Sequence, residues 1–356
     1  MANWQEFQPI WRGELSDYVT AIAWLPNGKF LAASSAAGEV MVLPTGTAET
    51  ILLQAATGQS IDCLAVSHNG RFVAAGGQDG SVKIWQITST TLEVIATLEN
   101  KPAWVDRMAW SPVTEHLAFS LGRYGQVWEA KSNSVETTVN FEASSVLGLD
   151  WHPQGKWLAV CGYQGARVWN ANAWNNDPKM LEFPTATVAI AWSCDGQYLA
   201  NGNLDGTLAV VEWKLSDNPW IMRGFPGKVR QLAWSQPVTQ IGSSRLASCS
   251  AAAIVVWERD ADELVGWANQ VLEAHEGTIQ AIAFQPSTLL LASAAEDGWV
   301  CLWRNAEQLI QVLDGAPNGF SCLSWHPQGH LLAAGGQNGE LLIWAQPSSG
   351  KGFSRR

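Results

Sequence analysis

The chain has 356 residues, 47% of them hydrophobic, with 15% charged and a formal net charge of −11. That length would fill two ordinary domains, but an acidic, sparsely charged surface lacks the clustered Lys and Arg that a phosphate backbone needs, so nucleic acid is not expected as the main partner. The start, MANWQEFQPIW, has no basic stretch leading into an apolar one, and no apolar run approaches the roughly 18 residues of a spanning helix; no membrane insertion is expected, and the cytoplasm is the expected location.

In chain order the first predicted element is a short strand, FQPIWRG at 7–13. Eight versions of one pattern follow, each with an apolar lead-in, an aromatic, a short turn, Leu-Ala or a close variant, a Gly-rich turn, and a strand that usually closes on Trp. They occupy 19–43, 61–85, 105–128, 146–169, 187–211, 229–257, 279–303 and 320–344. Each predicts three short strands, a, b and c. Apolar clusters between the units supply a fourth, d: TILLQAA at 50–56, LEVIATL at 92–98, VETTVNF at 135–141, MLEF at 180–183, PWIMRGF at 219–225, VLEA at 271–274 and QLIQVL at 308–313. The last unit runs instead into AQPSSGKGFSRR, of which 347–356 reads as a disordered tail.

A period of about forty residues with four short strands per unit predicts an all-β chain folded as a β-propeller, because one small sheet cannot bury both faces until its neighbours stack on it. Seven linkers provide seven d strands for eight units. The strand at 7–13 is therefore expected to complete the last four-stranded antiparallel blade and close the ring, favouring eight blades over seven. Pro9 fits an outer-edge strand, which does not need every N–H. Residues 1–346 then form one closed domain. Trp24, Trp110, Trp151, Trp192, Trp234 and Trp325 share one position of strand a, while Trp85, Trp128, Trp169, Trp257, Trp303 and Trp344 end strand c. With roughly 150–250 Å² to bury each, they are expected to pack between blades rather than line a cofactor site.

The seventh unit is the fullest, with EAHEGTIQAIAF leading to LASAAEDGWVCLW and carrying His275, Ser293, Asp297 and Trp303. These residues resemble the WD40 repeat family, and the resemblance runs from Val19 to Trp344. It implies that the four side chains form a structural network that locks the turns of one blade. It also implies a scaffold for protein partners rather than an enzyme, although fold alone does not settle function. Other units keep fragments: Asp79 with Trp85, or Asp205 with Val211 in place of the Trp. The sixth lacks the Asp-Gly turn.

Few residues suggest chemistry. Asp79, Asp205 and Asp297 each precede Gly in a b–c turn, where Asp bonds nearby amides and Gly takes positive φ. His152 and His326 lie in WHPQG at the a–b turns of the fourth and eighth blades, on opposite sides of the ring, and cannot share a metal. His68 and His116 sit near other a–b turns and His330 begins a strand b, none with a second ligand at useful spacing. GGQDG and GGQNG precede no helix that would aim amides at a phosphate, and no GxSxG elbow occurs. The six cysteines form no CxxC, so free thiols are expected, without zinc or a disulfide framework. No catalytic residue, cofactor or metal is assigned.

Function is expected on the loops. On the upper face, formed by the d–a and b–c turns, Lys101, Trp104, Arg107, Arg123, Tyr124, Tyr163 and Arg167 gather on blades three and four. Arg223, Phe225, Lys228 and Arg230 lead into blade six. Arg and aromatic residues together suit a protein interface, against the alternative of scattered solvated side chains. On the lower face the long c–d linkers at 170–179, 212–220 and 258–267 carry Trp174, Trp220 and Trp267, beside a long a–b loop at 235–245. These rings either form an apolar docking patch or cover the outer edges of their own sheets. The expected function is a non-catalytic platform for one or more proteins. The alternatives are an enzyme with a central-channel site using Asp106 or Asp150, or a carbohydrate-binding propeller using exposed Trp.

Overall fold

The computed structural model describes residues 4–347 apart from 89–90, 143, 216–217, 237–242 and 263–264. Among these residues thirty-two strands form eight four-stranded antiparallel sheets, and there is no helix. Seven sheets run a-b-c-d in chain order. The eighth runs Gln8–Glu14, Glu340–Ala345, Leu331–Gly336, Phe320–Trp325, so its outer strand comes from the other end of the sequence. Each innermost strand meets the innermost strands of both neighbours, and the eighth meets the first, which makes the arrangement a closed eight-bladed propeller. Residues 348–356 of the expected tail, and 237–242 of the long a–b loop, lie outside the described residues.

The middle strands show why the sequence folds this way. Strands b and c carry apolar or small residues at successive positions, as in Phe72–Gly77 and Leu331–Gly336, where every residue is buried. A strand alternates its side chains between two faces, so such runs require cover on both sides, and each blade supplies it to the next. The outer strands instead alternate exposed and half-buried residues, as in Leu92–Glu99.

Closure uses more than strand pairing. The terminal strand pairs from Gln8 with Ala345 to Glu14 with Glu340, and its register shifts between Pro9 and Trp11. It starts one residue later than expected because Phe7 turns inward: its ring is buried and meets Trp325 edge-on at 5.5 Å. The Phe7 N–H donates to Gln311 Oε1 at 2.9 Å, and Gln311 Nε2 donates to the Phe7 carbonyl at 2.8 Å. Gln311 lies on the outer strand of blade 7, so the closing segment is fastened to two blades.

The eight units are less alike than the repeat suggests. Blades 1, 2, 5, 7 and 8 have six-residue innermost strands, whereas Met108–Trp110, Gly148–Trp151 and Gln231–Trp234 are shorter. In those three blades the b–c hairpin closes with two residues, between Leu121 and Tyr124, Gly162 and Gly165, and Ser250 and Ala253. The longer turns fold inward and bond the segment before strand a, with Gln78 N–H to the Ser60 carbonyl, Leu204 to Ala186 and Glu296 to Thr278. A short hairpin cannot make that bond, so the upper face is lower over blades 3, 4 and 6.

Truncating the fully buried Phe7 leaves a cavity at the closure, so Phe7→Ala is expected to cost about 3–5 kcal/mol in urea unfolding. Ile10→Ala on the same strand, at a side chain 58% exposed, should stay within about 0.5 kcal/mol.

Candidate functional site

The four residues singled out in blade 7 are joined. His275 Nδ1 bonds Asp297 Oδ2 at 2.8 Å, its Nε2 bonds Ser293 Oγ at 2.7 Å, and Trp303 Nε1 donates to the same hydroxyl at 2.9 Å. Burial raises the Asp297 pKa, but the Trp299 amide and the His275 ring outweigh it and hold the carboxyl below its usual range. The side chains are turned into their blade, so this group is a brace rather than a reactive site. Blade 6 keeps only its inner end, Trp257 Nε1 to Ser248 Oγ at 2.9 Å. In blade 2 Ala75 occupies the serine's place, and the Trp85 indole N–H has no partner.

A second set of contacts, not legible from the spacing, ties blade to blade. Trp24, Trp151, Trp234 and Trp325 each donate the indole N–H to a carbonyl of the preceding innermost strand, of Ser324, Ala109, Ala191 and Ala283, at 3.0–3.2 Å. On the lower face the residue after strand a repeats the device. His152 Nε2 reaches the Gly196 carbonyl at 3.3 Å, Gln285 Nε2 that of Gly329 at 2.7 Å, and His326 Nε2 that of Gly28 at 3.2 Å. Each acceptor belongs to the next blade. Gly28 and Gly196 have φ of 69° and 72°, and a β-carbon there would collide with the imidazole. The other ring nitrogen accepts the backbone N–H of Gln154 or Gln328 at 3.1 Å, which fixes a neutral tautomer. Burial lowers both histidine pKa values, with the glycine carbonyl acting in the opposite sense.

The upper face of blades 3 and 4 is more aromatic than basic. Trp104, Tyr124 and Tyr163 are 55%, 48% and 50% exposed, and Arg123 is exposed beside them at the tip of the short hairpin. The other cations are engaged. Arg107 donates from Nε to the Leu147 carbonyl at 3.1 Å and from Nη1 to the Asp106 carbonyl at 2.9 Å. Arg167 bonds the Asn140 carbonyl at 3.0 Å and Glu142 at 3.5 Å while lying over the Phe141 ring. Lys101 approaches Glu99 at 3.9 Å. Beside Tyr163 a cavity of about 320 Å³ opens between Phe141, Arg167, Met180 and Pro184. In the second group Phe225 is half-buried against Trp257, whereas Arg223, Lys228 and Arg230 are exposed and, among the described residues, have no carboxylate partner.

Of the two readings of the lower-face rings, packing favours the one in which they cover their own blades. Trp267 is buried, edge-on to both Tyr198 and Trp234. Trp174 is half-buried against Trp151, and Trp220 is half-buried beneath the Arg259 guanidinium.

Asp150 stands out among the titratable groups. Its carboxylate accepts the Trp192 backbone N–H of the next blade at 2.8 Å, and burial pushes its pKa up to about 7. All six cysteines are free thiols, and burial pushes Cys249 and Cys301 up to about 12 and Cys322 up to about 11. Among the described residues no group of three or more His, Cys, Asp or Glu side chains is placed to hold a metal.

Comparison with known proteins agrees with the braced, repeated blades. The family description "WD domain, G-beta repeat" matches residues 6–42, 50–86, 135–170, 266–304 and 307–345, more than half of the chain. The chain belongs to the WD40 repeat family. Its similarity to individual relatives is low. WD repeat and HMG-box DNA-binding protein 1 of Xenopus laevis is 28% identical over 233 residues, 61% of this chain and 20% of that protein. Protein transport protein sec13 of Emericella nidulans is 23% identical over 80% of this chain and 91% of its own length. Transcriptional corepressor LEUNIG_HOMOLOG of Arabidopsis thaliana is 22% identical over 79% of this chain and 35% of its length. The WD40 chain thus spans nearly all of one of these relatives and only 20% and 35% of the other two.

Both histidine latches need the neutral ring, and the depressed folded pKa means that their contribution is complete above about pH 6.5 and is lost as the pH falls below it. The stability advantage of the wild type over His152→Gln/His326→Gln, which copies Gln285, should therefore shrink in urea titrations as the medium is acidified. Asp150 has the opposite sign: a raised folded pKa penalises the native state progressively as the pH rises from about 3.8 to about 7, and the penalty is complete above that. Asp150→Asn should therefore gain on the wild type between about pH 4 and 7, and a difference that stays constant across that window would contradict the assignment.

Proposed function

We propose that the protein is a non-catalytic platform that binds protein partners through its upper loop face, in the assembly or regulation of a complex. The carrying observation is the exposure of three aromatic rings, Trp104, Tyr124 and Tyr163, on the upper loops of the two adjacent blades with short hairpins, with the exposed Arg123 next to Tyr124 in the chain. Rigid aromatic rings with an arginine beside them are the residue types that anchor protein interfaces. Nearly every other tryptophan is committed to packing, which counts against a glycan-binding face. Membership of a family of repeat scaffolds supports the same reading.

The most perturbed carboxylate of the channel, Asp150, is engaged by a backbone amide, which favours a structural over a catalytic role. A relative carries DNA-binding in its name, together with an HMG box, over a protein of which this chain matches a fifth. For this chain the net charge of −11 and the engaged arginines favour protein over nucleic acid. Six free thiols favour the reducing cytoplasm.

Trp104→Ala/Tyr124→Ala/Tyr163→Ala is expected to keep the wild-type unfolding midpoint and to lose at least about tenfold in affinity for the partner recovered with the native chain from its own cells. Undiminished capture by the folded triple variant would move the interface elsewhere.

A further inference from the structure

Over blade 6 the upper face opens into a cavity of about 560 Å³ that reaches from Leu204 of blade 5 to Gln280 and Glu296 of blade 7. The floor is the shortest kind of b–c turn: Ser250 pairs directly with Ala253, leaving Ala251 and Ala252 as the hairpin tip. The neighbouring blades place a longer turn at this height, braced by an aspartate. Asp205 accepts the Thr207 amide and hydroxyl, and Asp297 accepts the Trp299 amide and His275. Blade 6 has neither the extra residues nor the carboxylate. The missing turn makes the space, and without its acid the lining carries two cations, Lys228 and Arg230, against the single carboxylate of Glu296.

Two cations line that space. Lys228 and Arg230 come from the loop entering blade 6, both are exposed, and neither has a carboxylate partner among the described residues. Residues 219–235 contain no Asp or Glu that would neutralise them. The one carboxylate in the lining, Glu296, already accepts a hydrogen bond from Gln280 Nε2 at 2.7 Å. Arg230 is the second residue of its innermost unit. At the same position blades 2 and 3 carry Asp62 and Asp106, and blade 2 lies diametrically across the ring from blade 6. The second position of the unit is thus acidic in blade 2 and basic in the blade opposite it.

We propose that this cavity receives an acidic segment of a partner polypeptide, with Arg230 and Lys228 holding Asp or Glu carboxylates and the half-exposed Leu204 meeting an adjacent apolar side chain. The proposal rests on the platform reading and gives it a second contact of defined chemistry. A polypeptide fits better than a nucleic acid because the basic field is confined to one pocket on a molecule of net charge −11, whereas a phosphate backbone is bound by cations along its length. A carboxylate also matches the planar donor fork of arginine.

The test uses the whole chain and a fluorescein-labelled hexaglutamate peptide, read by fluorescence anisotropy. The wild type should bind, more weakly as salt is raised from about 50 to about 500 mM. Lys228→Glu/Arg230→Glu should reduce affinity at least about tenfold. Ala252→Asp, which returns a carboxylate to the blade 6 turn, should reduce it about threefold or more. Lys29→Glu/Lys131→Glu, at exposed lysines in turns of blades 1 and 3, should leave it within about twofold. No binding by the wild type, equal binding by the Lys228/Arg230 variant, or tighter binding of oligothymidylate than of the peptide would overturn the proposal. Because the probe is defined and read directly, any of these failures leaves the Trp104, Tyr124 and Tyr163 capture result standing by itself.

Discussion

Each blade of this ring is held by groups that belong to its neighbour. A four-stranded sheet with two apolar faces has no stable existence alone, and hydrophobic burial, being non-directional, does not fix how far one blade rotates against the next. Directional bonds do. The indoles of Trp24, Trp151, Trp234 and Trp325 fix the inner radius, and the side chains of His152, Gln285 and His326 fix the lower rim one blade ahead. Where the indole bond is absent another contact stands in its place. Trp110 stacks on Phe72 of blade 2 at 5.6 Å, and Trp192 is met edge-on by His152 while Asp150 takes its amide. Gln311, by bonding both backbone groups of Phe7, extends the same principle to the point where the circle is sealed.

With the strands committed in this way, variation is confined to turn length and to what the turns carry. Three blades have lost the longer inward-folding b–c turn, and the candidate surfaces lie over those three: the aromatic cluster over blades 3 and 4, and the cation-lined cavity over blade 6. On the lower face Trp174 and Trp267 are instead drawn against other aromatic rings. A partner that uses both upper surfaces would bridge one side of the channel mouth. The two contacts would then add in free energy, provided that one rigid chain reaches both.

The period, the strand count and the swapped closing strand were legible because each follows from apolar alternation and turn glycines. The brace in blade 7 was legible through the resemblance of its unit to the WD40 repeat, which implied that the four side chains meet. The latches were not. His152 and His326 read as turn residues, since nothing in WHPQG says that the ring will meet a glycine carbonyl of the next blade, 44 residues away in one case and 298 in the other. The charge on Arg107 and Arg167 was legible, but its engagement by backbone carbonyls was not, because that depends on where the neighbouring blade lies. The lower-face tryptophans stayed between two readings for the same reason: a long linker does not say where its ring lies until the ring beneath it is placed. The signal that would have located the cavity was present as the turn lengths in units three, four and six, once the units are compared residue by residue.

The central claim is that the amino-terminal strand is an integral part of blade 8 and that the ring opens only as a whole. Native-state hydrogen exchange resolved to the amides of residues 11–14 and of the inner strands of blades 1 and 8 tests it most directly. The account predicts that these amides share one opening free energy, close to that of global unfolding. Rapid exchange of residues 11–14 while the inner strands stay protected would show a ring that holds without its closing strand, and would contradict it.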